Sequence, residues 1–227
     1  MKKVLVTGAS SDVGGALIRL IQKEGCEITG TFRRETEKLK ALKEDVPELK
    51  LVSCDFSDRE ATEAFCESIG DFDVFIHLPA PKANPLQFRK LKWEAFEEQM
   101  TVDFRSAVMI SRALLPAMAK QKDGQLIFML SSYVEEEIPP KFLTPYISAK
   151  YALKGFMKAL AAEYADKGIK INGLAPSMID TEYISELPEL AREPELLTAE
   201  EVAMCILNML KDENLKTGTS VVLNGKG

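Results

Sequence analysis

The stretch Thr7-Gly8-Ala9-Ser10-Ser11-Asp12-Val13-Gly14 decides the fold, because it joins two segments of different periodicity. It follows the short β-branched run of residues 3–7 and precedes residues 13–22, where apolar side chains recur at helical spacing. The pattern predicts a strand, a tight glycine turn and a helix. Glycines there let the backbone approach a phosphate, whose charge the helix start stabilises. Plain turn chemistry would also place glycines at these positions.

The alternation of strand and helix continues along the chain. Further strands are predicted over residues 27–31, 50–54, 73–77, 125–130, 169–174 and 220–223, and further helices over residues 35–43, 58–68, 93–119, 146–165 and 199–210. Thr144 is the expected N-cap of the helix over residues 146–165, with Pro145 at its first position. Such alternation indicates right-handed crossovers and a parallel sheet covered on both faces. We therefore predict an α/β fold, a doubly wound three-layer sandwich in which residues 1–227 form one domain.

Composition limits what the chain can bind. Its 227 residues are 46% hydrophobic and carry a formal net charge of −6, which argues against nucleic acid or an anionic membrane as the main partner. No stretch approaches the ~18 apolar residues of a membrane span. The first residues lack a signal-peptide core, so we expect a cytoplasmic protein. A single histidine, His77, and four cysteines without a C-x-x-C pair predict neither a metal site nor a disulfide framework.

A second stretch, Tyr146-Ile147-Ser148-Ala149-Lys150, carries candidate chemistry. On a helix, Tyr146 and Lys150 lie four residues apart on one face, so a phenol and an ammonium share the same space. A tyrosine ordinarily titrates near pH ~10, and a cation beside it stabilises the phenolate, which suits proton transfer near neutrality. On spacing alone, an aromatic core residue beside a solvated lysine is the commoner outcome.

Together these stretches resemble the short-chain dehydrogenase/reductase family. The turn over residues 7–14 is similar to the family's TGxxxGxG loop, and other family motifs follow in order along essentially the whole chain. They are Asp55, Ser131-Ser132, Tyr146-x-x-x-Lys150, Asn172 and residues 176–181. The resemblance implies a Rossmann-type fold, usually with seven parallel strands, that binds NAD(H) or NADP(H). It also implies an oxidoreductase that acts on carbonyl or alcohol groups.

The resemblance also assigns roles to the reacting groups. Tyr146 would be the general acid or base that exchanges a proton with the substrate oxygen, and Ser132 would hydrogen-bond that oxygen. Lys150 would bind the nicotinamide ribose and stabilise the phenolate, while Ser131 is expected to be structural. Asp103 stands where many relatives have an asparagine that anchors a water in the proton relay. Its carboxylate would alter that relay or pair directly with Lys150.

Cofactor choice is argued from the residues at the end of the second strand. Phe32 stands where NAD-binding relatives carry an acidic residue, and Arg33 and Arg34 could pair with a 2′-phosphate. Alternatively, the two arginines are simply solvated at the start of the charged helix that follows. We expect NADP(H) in preference to NAD(H). The other cofactor contacts expected from the resemblance are Gly8, Ser10, Ser11, Asp12, Val13, Gly14, Asp55, Phe56, His77, Tyr146, Lys150, Pro176, Ile179 and Thr181.

The sequence departs from the family pattern at several of these positions. Asp12 takes the place of the middle glycine and brings a negative charge near the pyrophosphate, so we expect its carboxylate to turn away. His77-Leu78-Pro79-Ala80 replaces the usual Asn-Asn-Ala-Gly, and we favour a structural role for the histidine side chain. Ser177 replaces a common glycine. Such departures leave open a non-catalytic nucleotide-binding subunit or sensor of the same fold.

The substrate is less well defined than the cofactor. An acidic segment near residues 182–196 is expected to form a short lid over it. A small carbonyl or alcohol compound fits the family, as does a 3-oxoacyl group on an acyl carrier protein that docks at Lys122 and Lys167. An epimerase or dehydratase that retains its cofactor is disfavoured, because the chain lacks an extended substrate domain.

The helix over residues 146–165 is also a candidate oligomer contact. Its small residues would pack against a second copy in a homodimer or homotetramer, and the alternative is that they belong to the core. These residues are Ala149, Ala152 and Ala159, together with Phe156.

Overall fold

A computed structural model describes residues 1–181 and 195–225, and within them seven parallel strands form one sheet. The strands are β1 (Lys3–Thr7), β2 (Glu27–Phe32), β3 (Lys50–Ser53), β4 (Val74–His77), β5 (Gly124–Met129), β6 (Ile169–Pro176) and β7 (Ser220–Leu223). Their order in the sheet is β3-β2-β1-β4-β5-β6-β7. The order reverses between β1 and β4, the point at which sheets of this kind open a crevice at the carboxyl ends of the strands. The predicted doubly wound α/β fold is confirmed.

Helices cover both faces of this sheet. They are α1 (Asp12–Gln22), α2 (Glu37–Asp45), α3 (Arg59–Ser68), α4 (Trp93–Gln99), α5 (Ser106–Gln121), α6 (Thr144–Glu163) and α7 (Ala199–Lys211). β1 shows how the core divides, because Val4 and Val6 pack with α1, α2 and α7, whereas Leu5 packs with α3, α5 and α6. This alternation of side chains is what a strand buried between two helical layers requires.

The predicted helical stretch over residues 93–119 is helical throughout, but it is not one regular α-helix. The chain forms α4, then a π-helical turn at Met100–Arg105, then α5. Two side chains bind carbonyl groups of this turn: the Ser106 hydroxyl donates to the Val102 carbonyl at 2.6 Å, and His77 contacts the Asp103 carbonyl at 3.1 Å. Side chains that bind backbone groups in this way compete with regular helical hydrogen bonding.

Two further expectations concern α6. Leu143, and not Thr144, is the N-cap residue, and no side chain caps the helix; Pro145 lies in the first turn, where its missing N–H is tolerated. Ala149 has no exposed surface and therefore belongs to the core. Ala152 and Phe156, whose ring lies 5.9 Å from the Phe128 ring, are half-buried and Ala159 is exposed, so an oligomer contact through these three residues stays a prediction.

Two other expectations concern the lid and the membrane. Residues 182–194 of the predicted lid lie outside the described residues. In the part of the chain that the structure describes, no helix combines the length and apolarity needed to cross a membrane.

Candidate active site

The turn over residues 7–14, called the nucleotide turn below after its predicted role, lies at the carboxyl end of β1. Gly8 adopts a φ of +82°, in the left-handed region that glycine tolerates. Ser11 closes the turn, since its Oγ donates to the Gly8 carbonyl at 2.8 Å and accepts from the Gly14 N–H at 3.0 Å. A Cβ atom on Gly14 would lie 2.3 Å from the Gly8 carbonyl oxygen, so no side chain fits there. The turn therefore leads directly into the N-terminus of α1, a position at which helices stabilise anions.

The side chains of this turn face in different directions. Asp12 accepts a hydrogen bond from Lys38 of α2 at 2.7 Å, so its carboxylate reaches sideways to the next helix, consistent with the expectation that it turns away. Val13 is buried in the core, which leaves only its backbone available to a nucleotide, and Ser10 is half-buried.

A basic pair and a carboxylate meet at the carboxyl ends of β2 and β3. Arg33 and Arg34 are exposed, while Asp55 accepts hydrogen bonds from the N–H and Oγ of Ser57 at 2.9 and 2.7 Å. Partial burial alone would raise the pKa of Asp55, but these hydrogen bonds and the two arginine charges hold it below its ordinary value. Arg33 and Arg34 thus share one region with Asp55, at the edge of the sheet where the nucleotide turn lies.

Lys150 lies at the centre of the buried part of the site. Its side chain is 1% exposed, and its Nζ donates to Asp103 Oδ1 at 3.1 Å and to the Met129 carbonyl at 2.7 Å. The Nζ lies 5.7 Å from the centroid of the Tyr146 ring. An ammonium has three N–H donors, and within the described residues two of them have acceptors, which leaves one for another group. The direct charge partner anticipated for Lys150 is therefore present.

Asp103 is buried as deeply as its partner. Its side chain is 1% exposed, and burial raises its pKa, against the opposing charge and hydrogen bond of Lys150. The second carboxylate oxygen, Oδ2, accepts no hydrogen bond from the described residues. Asp103 lies in the π-helical turn, a feature that is frequent at functional sites.

His77 points into the protein and away from solvent. Its Nδ1 lies 3.0 Å from Thr7 Oγ1, and its Nε2 lies 3.1 Å from the Asp103 carbonyl and 3.3 Å from Ser106 Oγ. Burial, followed by the charge of Lys150, lowers the pKa of His77 to about 3. The imidazole is therefore neutral, which agrees with a structural role for the side chain. Phe56 packs beside it, 6.4 Å between ring centroids, so that ring belongs to the core as well.

Tyr146 borders a cavity of ≈ 380 Å³ between the start of α6, α4 and residues 82–92. That volume lies within the range of small-molecule pockets. Ser132, 7% exposed, begins the short turn Ser132–Val134 that packs against α6. Ser131 caps this turn by accepting from the Tyr133 N–H at 3.4 Å, in line with the structural role expected of it.

Sequence reasoning missed Lys154, which ties the Ser132 turn to α6. Its Nζ donates to the Val134 carbonyl at 2.8 Å and to Glu135 Oε2 at 2.7 Å. The available signal was its spacing, because Lys154 lies one helical turn after Lys150 on the same helix.

The chain after β6 is held at the same edge of the sheet. Leu197 forms a parallel bridge with Ile179 by binding the residues on either side of it. The Leu197 N–H donates to the Met178 carbonyl at 2.9 Å, and the Leu197 carbonyl accepts from the Asp180 N–H at 2.7 Å. Residues 176–181 begin at the carboxyl end of β6 and pass the end of β7, where the Ser177 N–H donates to the Leu223 carbonyl at 2.8 Å, and Thr181 is half-buried. Asn172 accepts from the Thr219 N–H at 2.9 Å, the strand hydrogen bonding expected of it.

Lys122 and Lys167 are not brought to this site. They precede β5 and β6 and therefore lie at the amino ends of the strands, the edge opposite Tyr146. Lys167 contacts Asp166 at 3.2 Å. A carrier protein docked on these two lysines would not face the Tyr146 of the same chain.

Comparison with known proteins identifies similar chains. A sequence model described as short chain dehydrogenase matches residues 2–191. A 3-oxoacyl-[acyl-carrier-protein] reductase FabG of Pseudomonas aeruginosa is 30% identical over 240 residues, which cover 99% of this chain and 96% of that protein. Dehydrogenase/reductase SDR family member 6 of Danio rerio is 27% identical over 243 residues, with the same 99% and 96% coverage.

Solved structures share the fold. A short chain dehydrogenase/reductase family protein superimposes with a TM-score of 0.88 at 19% identity, covering 100% of this chain and 97% of the other. The structure titled ElxO with NADP Bound gives a TM-score of 0.83 at 24% identity, covering 99% and 98%. At these identities the similarity establishes the architecture.

Proposed function

This chain belongs to the short-chain dehydrogenase/reductase family of nicotinamide-dependent oxidoreductases, and on that premise we propose that it is an NADP(H)-dependent enzyme that interconverts a carbonyl compound and its alcohol. In this proposal Tyr146 is the general acid or base, Ser132 binds the substrate oxygen, and Lys150 orients the cofactor ribose. The observation that carries the proposal is the buried ammonium of Lys150 beside the Tyr146 ring, at the border of a cavity.

The residues present fit a dinucleotide. The turn closed by Gly8, Ser11 and Gly14 would hold the pyrophosphate, because its geometry excludes any Cβ at position 14. Arg33 and Arg34 would bind a 2′-phosphate by charge-assisted hydrogen bonds. When bound, the nicotinamide would supply or accept the hydride. The backbone of residues 176–181, held by Leu197, would lie beside its carboxamide.

The chain's own groups then handle the proton. In the reductive direction, Tyr146 would donate its phenolic proton to the carbonyl oxygen, which gains negative charge as its carbon is reduced. The Ser132 hydroxyl would donate a hydrogen bond to the same oxygen and stabilise that charge. Lys150 would stabilise the phenolate left on Tyr146, and its two fixed acceptors, Asp103 and Met129, hold the ammonium in place. In the oxidative direction the phenolate would take the proton back.

The substrate we propose is a carbonyl or alcohol compound small enough for the ≈ 380 Å³ cavity. Several relatives are named 3-oxoacyl-[acyl-carrier-protein] reductase, so 3-oxoacyl thioesters are one class to test. Residues 182–196 remain the proposed cover over this cavity, within one NAD(P)-binding domain.

Tyr146→Phe tests the chemistry directly. We expect it to abolish NADPH-dependent reduction across a panel of ketones and 3-oxoacyl thioesters, while NADPH binding measured by fluorescence titration is retained. Tyr151→Phe is the matched control, because Tyr151 lies on the same helix and is 43% exposed. Turnover by Tyr146→Phe equal to that of the unmodified protein would refute the assignment. NADPH binding without turnover of any panel member by the unmodified protein would favour a nucleotide sensor.

The double variant Arg33→Ser/Arg34→Ser tests cofactor choice. Loss of charge-assisted hydrogen bonds to a phosphate should weaken NADPH binding roughly ten- to a hundred-fold and leave NADH binding within a few-fold. Arg59→Ser is the control, since Arg59 is exposed and its guanidinium pairs with Glu63 at 2.8 Å. Equal losses for the two cofactors would contradict a 2′-phosphate site.

A further inference from the structure

A continuous series of polar contacts runs through the protein interior from the nucleotide turn to Lys150. Thr7, the last residue of β1, contacts His77 at the end of β4; His77 contacts the carbonyl of Asp103; and the Asp103 carboxylate binds Lys150. Thr7, His77 and Asp103 are 0% exposed and Lys150 is 1% exposed. Buried polar groups without partners are costly, so each contact in this series matters for the placement of the next.

The contacts favour one hydrogen-bonding state of the histidine. The Asp103 carbonyl can only accept, so Nε2 must carry the imidazole proton. Nδ1 is then an acceptor, and it receives the hydroxyl proton of Thr7, whose Oγ1 lies 3.0 Å from Nδ1 and 3.3 Å from the alternative acceptor, the Ile76 carbonyl. The Ser106 hydroxyl, which donates to the Val102 carbonyl, can share the Nε2 proton. A neutral ring with its proton on Nε2 satisfies every group.

We propose that His77 is a positioning residue, which holds the Asp103 carbonyl with its Nε2–H and thereby fixes the Asp103 carboxylate against Lys150. The carbonyl and the carboxylate belong to one residue of the π-helical turn, so His77 orients the backbone and the side chain follows. Thr7 donates to Nδ1 and so holds the ring in the orientation that makes this contact possible. Because Thr7 directly precedes Gly8, the nucleotide turn and Lys150 share this support. The last step, from Lys150 to turnover, rests on the proposed function.

Nuclear magnetic resonance can observe this hydrogen bonding without any substrate. His77 is the one histidine in the sequence, so tag-free protein labelled with ¹⁵N-histidine gives a single pair of imidazole nitrogen signals. We expect the pattern of an Nε2–H tautomer that does not titrate between pH 5 and 8. In Thr7→Val, which lacks the hydroxyl, the proton should stay on Nε2, and the Nδ1 signal should shift to that of an imidazole nitrogen that accepts no hydrogen bond. A dominant Nδ1–H tautomer in the unmodified protein, or a midpoint near pH ~6.5, would overturn the proposal.

Two matched pairs of variants test the catalytic consequence. His77→Gln can still present an amide N–H to the Asp103 carbonyl, whereas His77→Phe fills the space without a donor. Thr7→Ser keeps the hydroxyl, whereas Thr7→Val removes it. We expect His77→Phe and Thr7→Val to lower kcat for carbonyl reduction roughly ten-fold, as the loss of one buried hydrogen bond implies. The KM for NADPH should stay within about three-fold, and His77→Gln and Thr7→Ser should retain most of the activity.

The other outcomes contradict the proposal. Equal losses in both members of each pair would show that packing, and not the donor, is what matters. Weaker NADPH binding with unchanged kcat would show that the contacts serve the nucleotide turn alone. If His77→Phe does not fold, the Thr7 pair decides. Full activity of Tyr146→Phe would instead refute the proposed function, while the imidazole signals still report on the His77 hydrogen bonds.

Discussion

Two Lys–Asp ion pairs in this protein have similar lengths and very different surroundings. Lys38 Nζ lies 2.7 Å from Asp12 Oδ1, and the two side chains are 57% and 30% exposed. Lys150 Nζ lies 3.1 Å from Asp103 Oδ1, and both side chains are 1% exposed. Each aspartate stands where the family pattern has another residue, a glycine at position 12 and an asparagine at position 103.

The difference indicates that burial, more than the distance between the charges, determines how much an ion pair contributes to stability. Water and salt screen the shorter, exposed pair, whose expected contribution to stability is about 0–1 kcal/mol. The longer pair lies in a dry interior, where removing one partner leaves the other charge uncompensated. Asp12, at the surface of α1, is therefore expected to change the free energy of unfolding little. At position 103 the aspartate is coupled to Lys150 and, through its carbonyl, to His77.

Breaking the buried pair should have the largest effect. Asp103→Leu leaves the ammonium of Lys150 without its counter-ion, and we expect the free energy of unfolding to fall by about 3–5 kcal/mol in urea denaturation. The double variant Asp103→Leu/Lys150→Met removes both charges and should recover a substantial part of that loss. A single-variant cost below about 1 kcal/mol would mean that the two pairs differ in exposure but not in energy.

The sequence predicts the sheet better than it predicts the site. β-branched runs alternate with segments of helical periodicity because each segment is buried locally against the sheet or its helices. This local pattern was enough to predict β1, α1 and a doubly wound parallel sheet. The Tyr146–Lys150 pair could be anticipated because four-residue spacing on a helix is a local property.

The π-helical turn could not be predicted in this way. Residues 93–119 have a continuous helical pattern, and the π-helical turn is contacted by His77, which lies 26 residues before Asp103. Likewise, the spacing of Lys154 from Lys150 on α6 does not show that Lys154 binds the Val134 carbonyl, in the turn that Ser132 begins. Contacts between elements distant in sequence decide both features.

His77, which contacts the Asp103 carbonyl, should give the next largest effect, a dependence of the free energy of unfolding on pH. The folded-state pKa of His77 is lowered from 6.5 to about 3, so the unfolded chain binds a proton that the folded protein does not. Its contribution to stability is fully present above pH 6.5 and is lost as pH falls toward 3. Between pH 7.5 and 4.5 we expect the protein to lose about 3 kcal/mol more than His77→Gln does. The free energy of unfolding is measured in urea at both pH values. If the protein and His77→Gln lose the same free energy between these values, His77 is not a neutral buried ring.

The exposed pair should give the smallest effect. We expect Asp12→Asn and Lys38→Gln each to change the free energy of unfolding by less than about 1 kcal/mol, with a coupling in the double-variant cycle that declines in 0.5 M salt as screening increases. Asp12→Asn should also bind NADPH a few-fold more tightly, because it removes a negative charge near the pyrophosphate site. A coupling above about 2 kcal/mol that salt leaves unchanged would show that this pair behaves like the buried one. In that case Asp12 would support the nucleotide turn through α2, and its placement would be as specific as that of Asp103.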